Sequence, residues 1–386
     1  LSIVMKIRTI TTGVTFKSPE DFDKIKPLAE FNQKAKTFFE ENGYEVQTTR
    51  IATNSWQEYL QTTTSAELLG LVRKVEEICR DLEVGFFNIG YAGTPEAIEI
   101  LPEIIRSTSL ISCSGKIGDL ESGIDSENLR ASAKVIKRIS EVTENGEGNF
   151  RFCAWCNCKP GIPFFPAAYH EGENSFSIGL ECSDLAMRAF SNSKNLLEAE
   201  QNLKSIVEEE LRKVQDIAQQ VSIECSIRFR GIDASLAPSL EKDESLVFAY
   251  EKLDIGKFGQ PGTLAISAMI TGVLKNLSVK TCGYSGLMLP VCEDFGLAQR
   301  ASEGTFKLTD LLLYSAVCGC GLDVVPLPGD VRVEKIEAIL LDMARLATTL
   351  DKPLSARLLP APGKKAGEMT QFNSPYLVDC RTFDVT

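Results

Sequence analysis

Histidine occurs once in the 386 residues, at position 170. That scarcity excludes a histidine-rich zinc site, and any nucleophile–histidine triad that does not use His170. Long apolar runs are missing too: none reaches the roughly 18 residues that a membrane-spanning helix needs. Positive charge is in deficit, with 41 Lys and Arg against 53 Asp and Glu and a formal charge of −12. An acidic chain lacks the basic surface that grips a phosphate backbone, so nucleic acid is not an expected partner, whereas a local basic pocket can still hold an anionic metabolite. Low-complexity linkers and short-period repeats are absent. The 44% apolar and 24% charged content is that of a packed globular chain. These features predict a soluble, cytoplasmic protein and leave homo-oligomerisation open. Leu1–Val4 are too few for a signal peptide, and Met5 reads as the natural start, the first four residues coming from an alternative start or from expression.

The twelve cysteines are too sparse in a chain this long for a disulfide scaffold. Several lie in apolar runs, such as Leu110–Cys113 and Tyr314–Cys318, and read as buried free thiols. Cys153 and Cys156 fall in a strand-like run that points them to opposite faces, so they make poor joint metal ligands.

Short β-rich segments alternate with helix-period segments along the chain. Strands are predicted over 6–12, 44–52, 85–91, 108–114, 149–157, 175–181, 221–229, 278–282, 322–326 and 354–359. Helices are predicted over 21–41, 66–82, 96–106, 127–142, 195–219 and 333–350. The last of these places Ile336, Ile339, Leu340, Met343, Leu346, Ala347 and Leu350 on one face. Such alternation implies an α/β fold with helices packed outside a parallel or mixed sheet. About ten strands favour closure into a large β/α barrel, taken as one domain over residues 5–386.

The second half carries stiff Pro–Gly turns at 160–163, 259–262, 326–330 and 360–365, the kind of loop on which α/β proteins mount binding groups. Five segments around them form long, specific motifs: Phe164–His170, Gly259–Leu264, Tyr284–Pro290, Cys318–Asp330 and Arg357–Gly367. In these motifs, and in the opening Met5–Thr11, the whole chain resembles the DUF711 (UPF0210) family. The resemblance implies a barrel of about ten strands related to the pyruvate formate-lyase-like barrels, and no settled activity. Those radical enzymes carry an Arg-Val-x-Gly-aromatic loop near the C-terminus. Here the nearest match, Arg228–Ile232, is mid-chain and lacks the aromatic, so glycyl-radical chemistry is not expected.

Candidate chemistry rests on His170, Glu181 and Asp233. His170 titrates near neutrality and closes a Pro-rich loop. Glu181 and Asp233 end predicted strands, where carboxylates can converge as an acid/base pair, although Asp233 also suits a cap or turn. Ser285, Glu293, Cys318, Asp323, Arg357 and Lys364 are the candidate substrate-binding residues, with Cys318 the thiol to test as a nucleophile. No cofactor motif is present. The acids Glu293, Asp294, Asp323 and Asp330 leave Mg²⁺ or Ca²⁺ open, without the spacing of a known cation loop. The leading expectation is an enzyme acting on a polar small molecule by carboxylate/histidine acid–base chemistry, as a hydrolase (including of a glycosidic bond) or a lyase. The alternatives are a non-catalytic metabolite-binding or regulatory protein, and a Cys-dependent enzyme.

Overall fold

Ten strands form one mixed sheet in the protein's structure, a computed structural model that describes residues 5–237 and 239–385. Leu1–Val4, read above as preceding the natural start, lie outside the described residues. The strands are β1 (Lys6–Val14), β2 (Val46–Thr53), β3 (Phe86–Ala92), β4 (Ile111–Asp119), β5 (Gly123–Ile124), β6 (Phe152–Cys156), β7 (Ser175–Glu181), β8 (Arg228–Asp233), β9 (Gly321–Pro328) and β10 (Leu354–Ala361). Their order is β8-β7-β1-β2-β3-β4-β6-β10-β9, with β5 alongside β4. Strands β1, β2, β3, β4 and β6 run parallel. The parallel pairs β7–β8 and β9–β10 run antiparallel to them.

The regular ladder stops at β8 and β9. Isolated parallel bridges at Ile232–Thr281, Leu236–Leu287 and Pro290–Asp323 tie the segment 281–290 to both edge strands. That segment makes only bridges, against the strand expected over 278–282. Gly283 at φ +63° and Ser285 at φ +41° turn it out of extended geometry. The strand expected over 221–229 is also corrected. Val214, Ile217, Ala218 and Val221 continue one buried helical face, so the helix Leu196–Cys225 runs on, and β8 begins only after Ser226 turns at φ +54°. The helix expected over 96–106 is two, Pro95–Glu99 and Leu101–Ser107, with Pro102 in the first turn of the second.

Most strand residues are buried on both faces, as expected of a sheet with helices outside and filled inside. Strand β6 shows the division. Phe152, Ala154 and Cys156 join the core under the helices, while Cys153 and Trp155 join a separate inner cluster with Tyr169, Tyr284, Met288 and Cys320. Much of the inner space is taken by the loop 157–174 between β6 and β7. Gly161 N–H donates to Tyr169 O at its base (2.9 Å), and Tyr169 stacks on Trp155 at 5.5 Å. Farther in, Thr11 Oγ1 donates to Pro163 O (2.8 Å) and Asn88 Nδ2 to Pro166 O (2.8 Å). The tip, Phe164–Ala167, thereby becomes part of a cavity wall. Among the described residues no helix is long and apolar enough to cross a membrane.

Candidate functional site

A cavity of about 380 Å³, within the usual range for small-molecule sites, opens where β1, β2, β3, β4 and β6 begin and β7 ends. Two local irregularities aim charges at it. Between β9 and β10 the register passes from Ala356–Leu322 to Leu358–Val325, so Arg357 faces both Asp323 and Val324. This is a β-bulge, and Val324 takes the strained φ of +40° that it requires. Between β1 and β7 the register slips at Arg8 in the same manner. Bulges re-aim side chains, and both of these cations line the cavity.

Arg357 is buried and holds two acids on one guanidinium. Its Nε donates to Asp323 Oδ1 and its Nη2 to Glu293 Oε1, each at 2.7 Å. The Phe150 ring lies 4.9 Å from its charge centre. Burial raises the Asp323 pKa, opposed by Arg357 and supported by the like charge of Glu293. The two carboxylates raise that of Arg357 against its own burial. Across the cavity Glu181 pairs with Arg8 Nη2 (2.8 Å) and Lys6 Nζ (3.5 Å). Arg50 also lines the cavity, half-buried between Phe86 and Phe165, each ring centroid 5.3 Å away. Cys153, Cys320 and Tyr284 form the inner floor, and Tyr376 of the C-terminal segment stacks on Phe150 at 5.5 Å at the wall.

The cavity thus unites Glu181, Glu293, Asp323 and Arg357 of the residues expected from sequence, and leaves out His170, Asp233, Ser285, Cys318 and Lys364. His170 lies at the opposite end of β1, under the surface. Its backbone N–H donates to Thr53 O (2.9 Å), and Nε2 lies 3.0 Å from Glu173 O, a contact that needs the proton on Nε2. Burial, then Arg230, lowers its pKa to about 4, so the ring is neutral at pH 7. It occupies the space left by Gly13, where a Cβ would come within 2.0 Å of Nδ1. Asp233 is fully enclosed. It accepts from the backbone N–H groups of Ser235, Tyr284 and Ser285 and from the Ser235 hydroxyl, so it ties β8 to the segment 281–290. Ser285 donates to Cys282 O and accepts from Ala234 N in the same junction. Lys364 belongs to the turn after β10, where its carbonyl accepts from Gly329 N.

Cys318 sits two residues before the cavity-lining Cys320. The Cys320 thiol, the Gly321 N–H (3.3 Å) and the Lys352 charge favour its thiolate and lower its pKa against burial. All twelve cysteines are free thiols. Burial raises Cys79 and Cys113 to about 12. Among the described residues no group of three or more His, Cys, Asp or Glu is placed to hold a metal ion. The acids expected to supply one are divided. Glu293 and Asp323 turn to Arg357, Asp294 caps the helix Phe295–Glu303, and Asp330 is exposed in a turn.

Lys6, Arg8, Arg50 and Tyr284 were not singled out by the sequence. Their signal was present: a buried strand seldom tolerates a charge, and Arg8 and Arg50 each interrupt one.

Residues 2–373 match the family model described as "Uncharacterised ACR (DUF711)". A UPF0210 protein of Thermoanaerobacter sp. (strain X514) is 26% identical over 402 residues, covering 95% of this chain and 88% of the relative. One from Bifidobacterium adolescentis is 29% identical over 289 residues, 71% of this chain and 63% of its own. Among solved structures, the anaerobic ribonucleotide reductase from Thermotoga maritima, in complex with dATP and CTP, superposes with a TM-score of 0.43 at 8% identity, over 91% of this chain and 75% of that one.

Proposed function

The chain belongs to the DUF711 family, and from the charges gathered in its cavity we propose that it is an enzyme acting on a polar small molecule by carboxylate acid–base chemistry, in a hydrolysis or an elimination. One observation carries this reading: Asp323 and Glu293 share the Arg357 guanidinium while both face the same cavity. Carboxylates held in one place but in unequal surroundings divide the roles of acid and base. Asp323, its proton affinity raised by burial, is the proton donor. Glu293 is the acceptor. Arg357 fixes both and faces charge that develops on a substrate oxygen. His170 has no part in the chemistry, being neutral, enclosed and distant from the cavity. Glu181, held by Arg8 and Lys6, shapes the far wall.

The test is a turnover screen of organic acids, esters and hydroxy compounds, followed by mass spectrometry, on wild type, Asp323→Asn and Glu293→Gln. Turnover by wild type and its loss in both variants supports the reading. Saturable binding with no product from any bound compound would instead identify a binding protein.

A further inference from the structure

Every other cation of the cavity named above is matched by acids, and Arg50 is not. Arg8 and Lys6 share Glu181, and Arg357 carries Asp323 and Glu293. Among the described residues no carboxylate lies within ion-pair reach of Arg50, and the hydrogen bond its side chain makes is from Nε to Thr48 Oγ1 (3.0 Å). That bond fixes the plane of the guanidinium, and among the described residues no acceptor is bonded to its two terminal nitrogens. The Phe86 and Phe165 rings, each 5.3 Å away, flank the charge but satisfy none of its N–H donors.

We infer that the cavity takes a small organic monocarboxylate, whose two oxygens accept end-on from the terminal nitrogens of Arg50 between Phe86 and Phe165. The inference rests on the reading of this cavity as the substrate site, and it names the substrate class. A planar fork whose end-on edge presents both terminal N–H₂ groups matches a carboxylate in bidentate geometry. Arg8 and Arg357 act on Arg50 as like charges and Glu293 as an opposite one. Burial, with Arg8 and Arg357, depresses the Arg50 pKa to about 9, a desolvation cost that a bound anion offsets. The rest of the molecule meets Phe150, Phe164, Met288 and Tyr376, which suit an aryl or short alkyl body. In that pose the body shares the cavity with Asp323 and Glu293.

Calorimetric titration of the full chain at pH 7 with benzoate and phenylacetate, their neutral amides, inorganic phosphate and phenyl phosphate tests this directly. The expected result is saturable binding of a carboxylate, at least about tenfold weaker in Arg50→Met and undetectable for the matching amide. Arg50→Lys, which keeps the charge and loses the fork, falls between the two. Equal binding of acid and amide, unchanged binding in Arg50→Met, no carboxylate binding at millimolar concentration, or tighter binding of phosphate than of every carboxylate would each overturn the inference. Should Arg50→Met not fold, Thr48→Val, which frees Nε and so loosens the fork, carries the test and is expected to weaken binding several-fold. Binding is read without turnover, so the two readings fail separately. Asp323→Asn that still binds the carboxylate upholds this inference whatever becomes of the acid–base assignment.

Discussion

Asp323 and Arg357 meet at 2.7 Å across the bulge where β9 and β10 fall out of register, and Glu293 reaches the same guanidinium from the segment that follows 281–290. The bulge and the ion pairs belong together, because a regular ladder would set one residue against one and turn alternate side chains away.

Removing Arg357 leaves two carboxylates at a largely buried position with no counter-charge. Arg357→Met is expected to cost about 3 kcal/mol or more, read by urea unfolding at pH 7. Asp323→Asn leaves Arg357 paired with Glu293 and costs less. Equal losses in the two variants would show that the guanidinium does not organise the site.

His170 contributes to stability with a definite sign. Its folded pKa is lowered from 6.5 to about 4, so the unfolded chain binds a proton first on acidification. The contribution is full above about pH 6.5 and is lost as pH falls towards 4, on the order of 3 kcal/mol in all. Asp184 and Asp294, both raised to about 6 chiefly by burial, oppose it over much of that range, since they bind protons more readily when folded. A His170→Gln variant isolates the term: its unfolding free energy should fall less than that of wild type between pH 7 and pH 5. Identical slopes would contradict a buried neutral imidazole.

Gly13 has no room for a methyl group because of His170. Gly13→Ala is expected to destabilise by about 1–3 kcal/mol, and a double-mutant cycle with His170→Ala should recover most of that loss. Full additivity in the cycle would mean that the ring does not fill that space.

Asp233 illustrates a structural acid at a position that invites a catalytic reading. Asp233→Ala strips an acceptor from three backbone N–H groups and one hydroxyl, and is expected to cost about 3 kcal/mol or more by thermal or urea unfolding. Ligand affinity per folded molecule should fall less than in Arg50→Met, since Asp233 holds the cavity-lining Tyr284 through its backbone and does not itself line the cavity.

Most strands and most long helices were legible because their signals are local: 3.6-residue periodicity over 333–350, and short apolar runs bounded by Gly and Pro. The site was legible in part. Glu181, Glu293, Asp323 and Arg357, chosen for their places near strand ends and Pro-rich turns, line one cavity. Asp233 and His170 lie outside the cavity, and sequence cannot tell which end of a strand faces it, nor that a hydrogen-bond shell already uses a carboxylate in full. The glycines of Tyr284–Pro290 and Cys318–Gly321 serve the mutual approach of two backbones, since a Cβ on Gly286 would stand 2.7 Å from Gly319 Cα. Arg8 and Arg50 were hidden by their setting, as strand charges whose value depends on a bulge and on a missing partner, neither visible one residue at a time.

The most direct test of the account is the rate at which a bound carboxylate is converted by wild type, Asp323→Asn and His170→Gln, compared at pH 7 with folding verified. The account predicts a loss of about 100-fold or more in Asp323→Asn, the scale of a missing general acid, and a near wild-type rate in His170→Gln. A wild-type rate in Asp323→Asn, or a rate abolished in a folded His170→Gln, would contradict it.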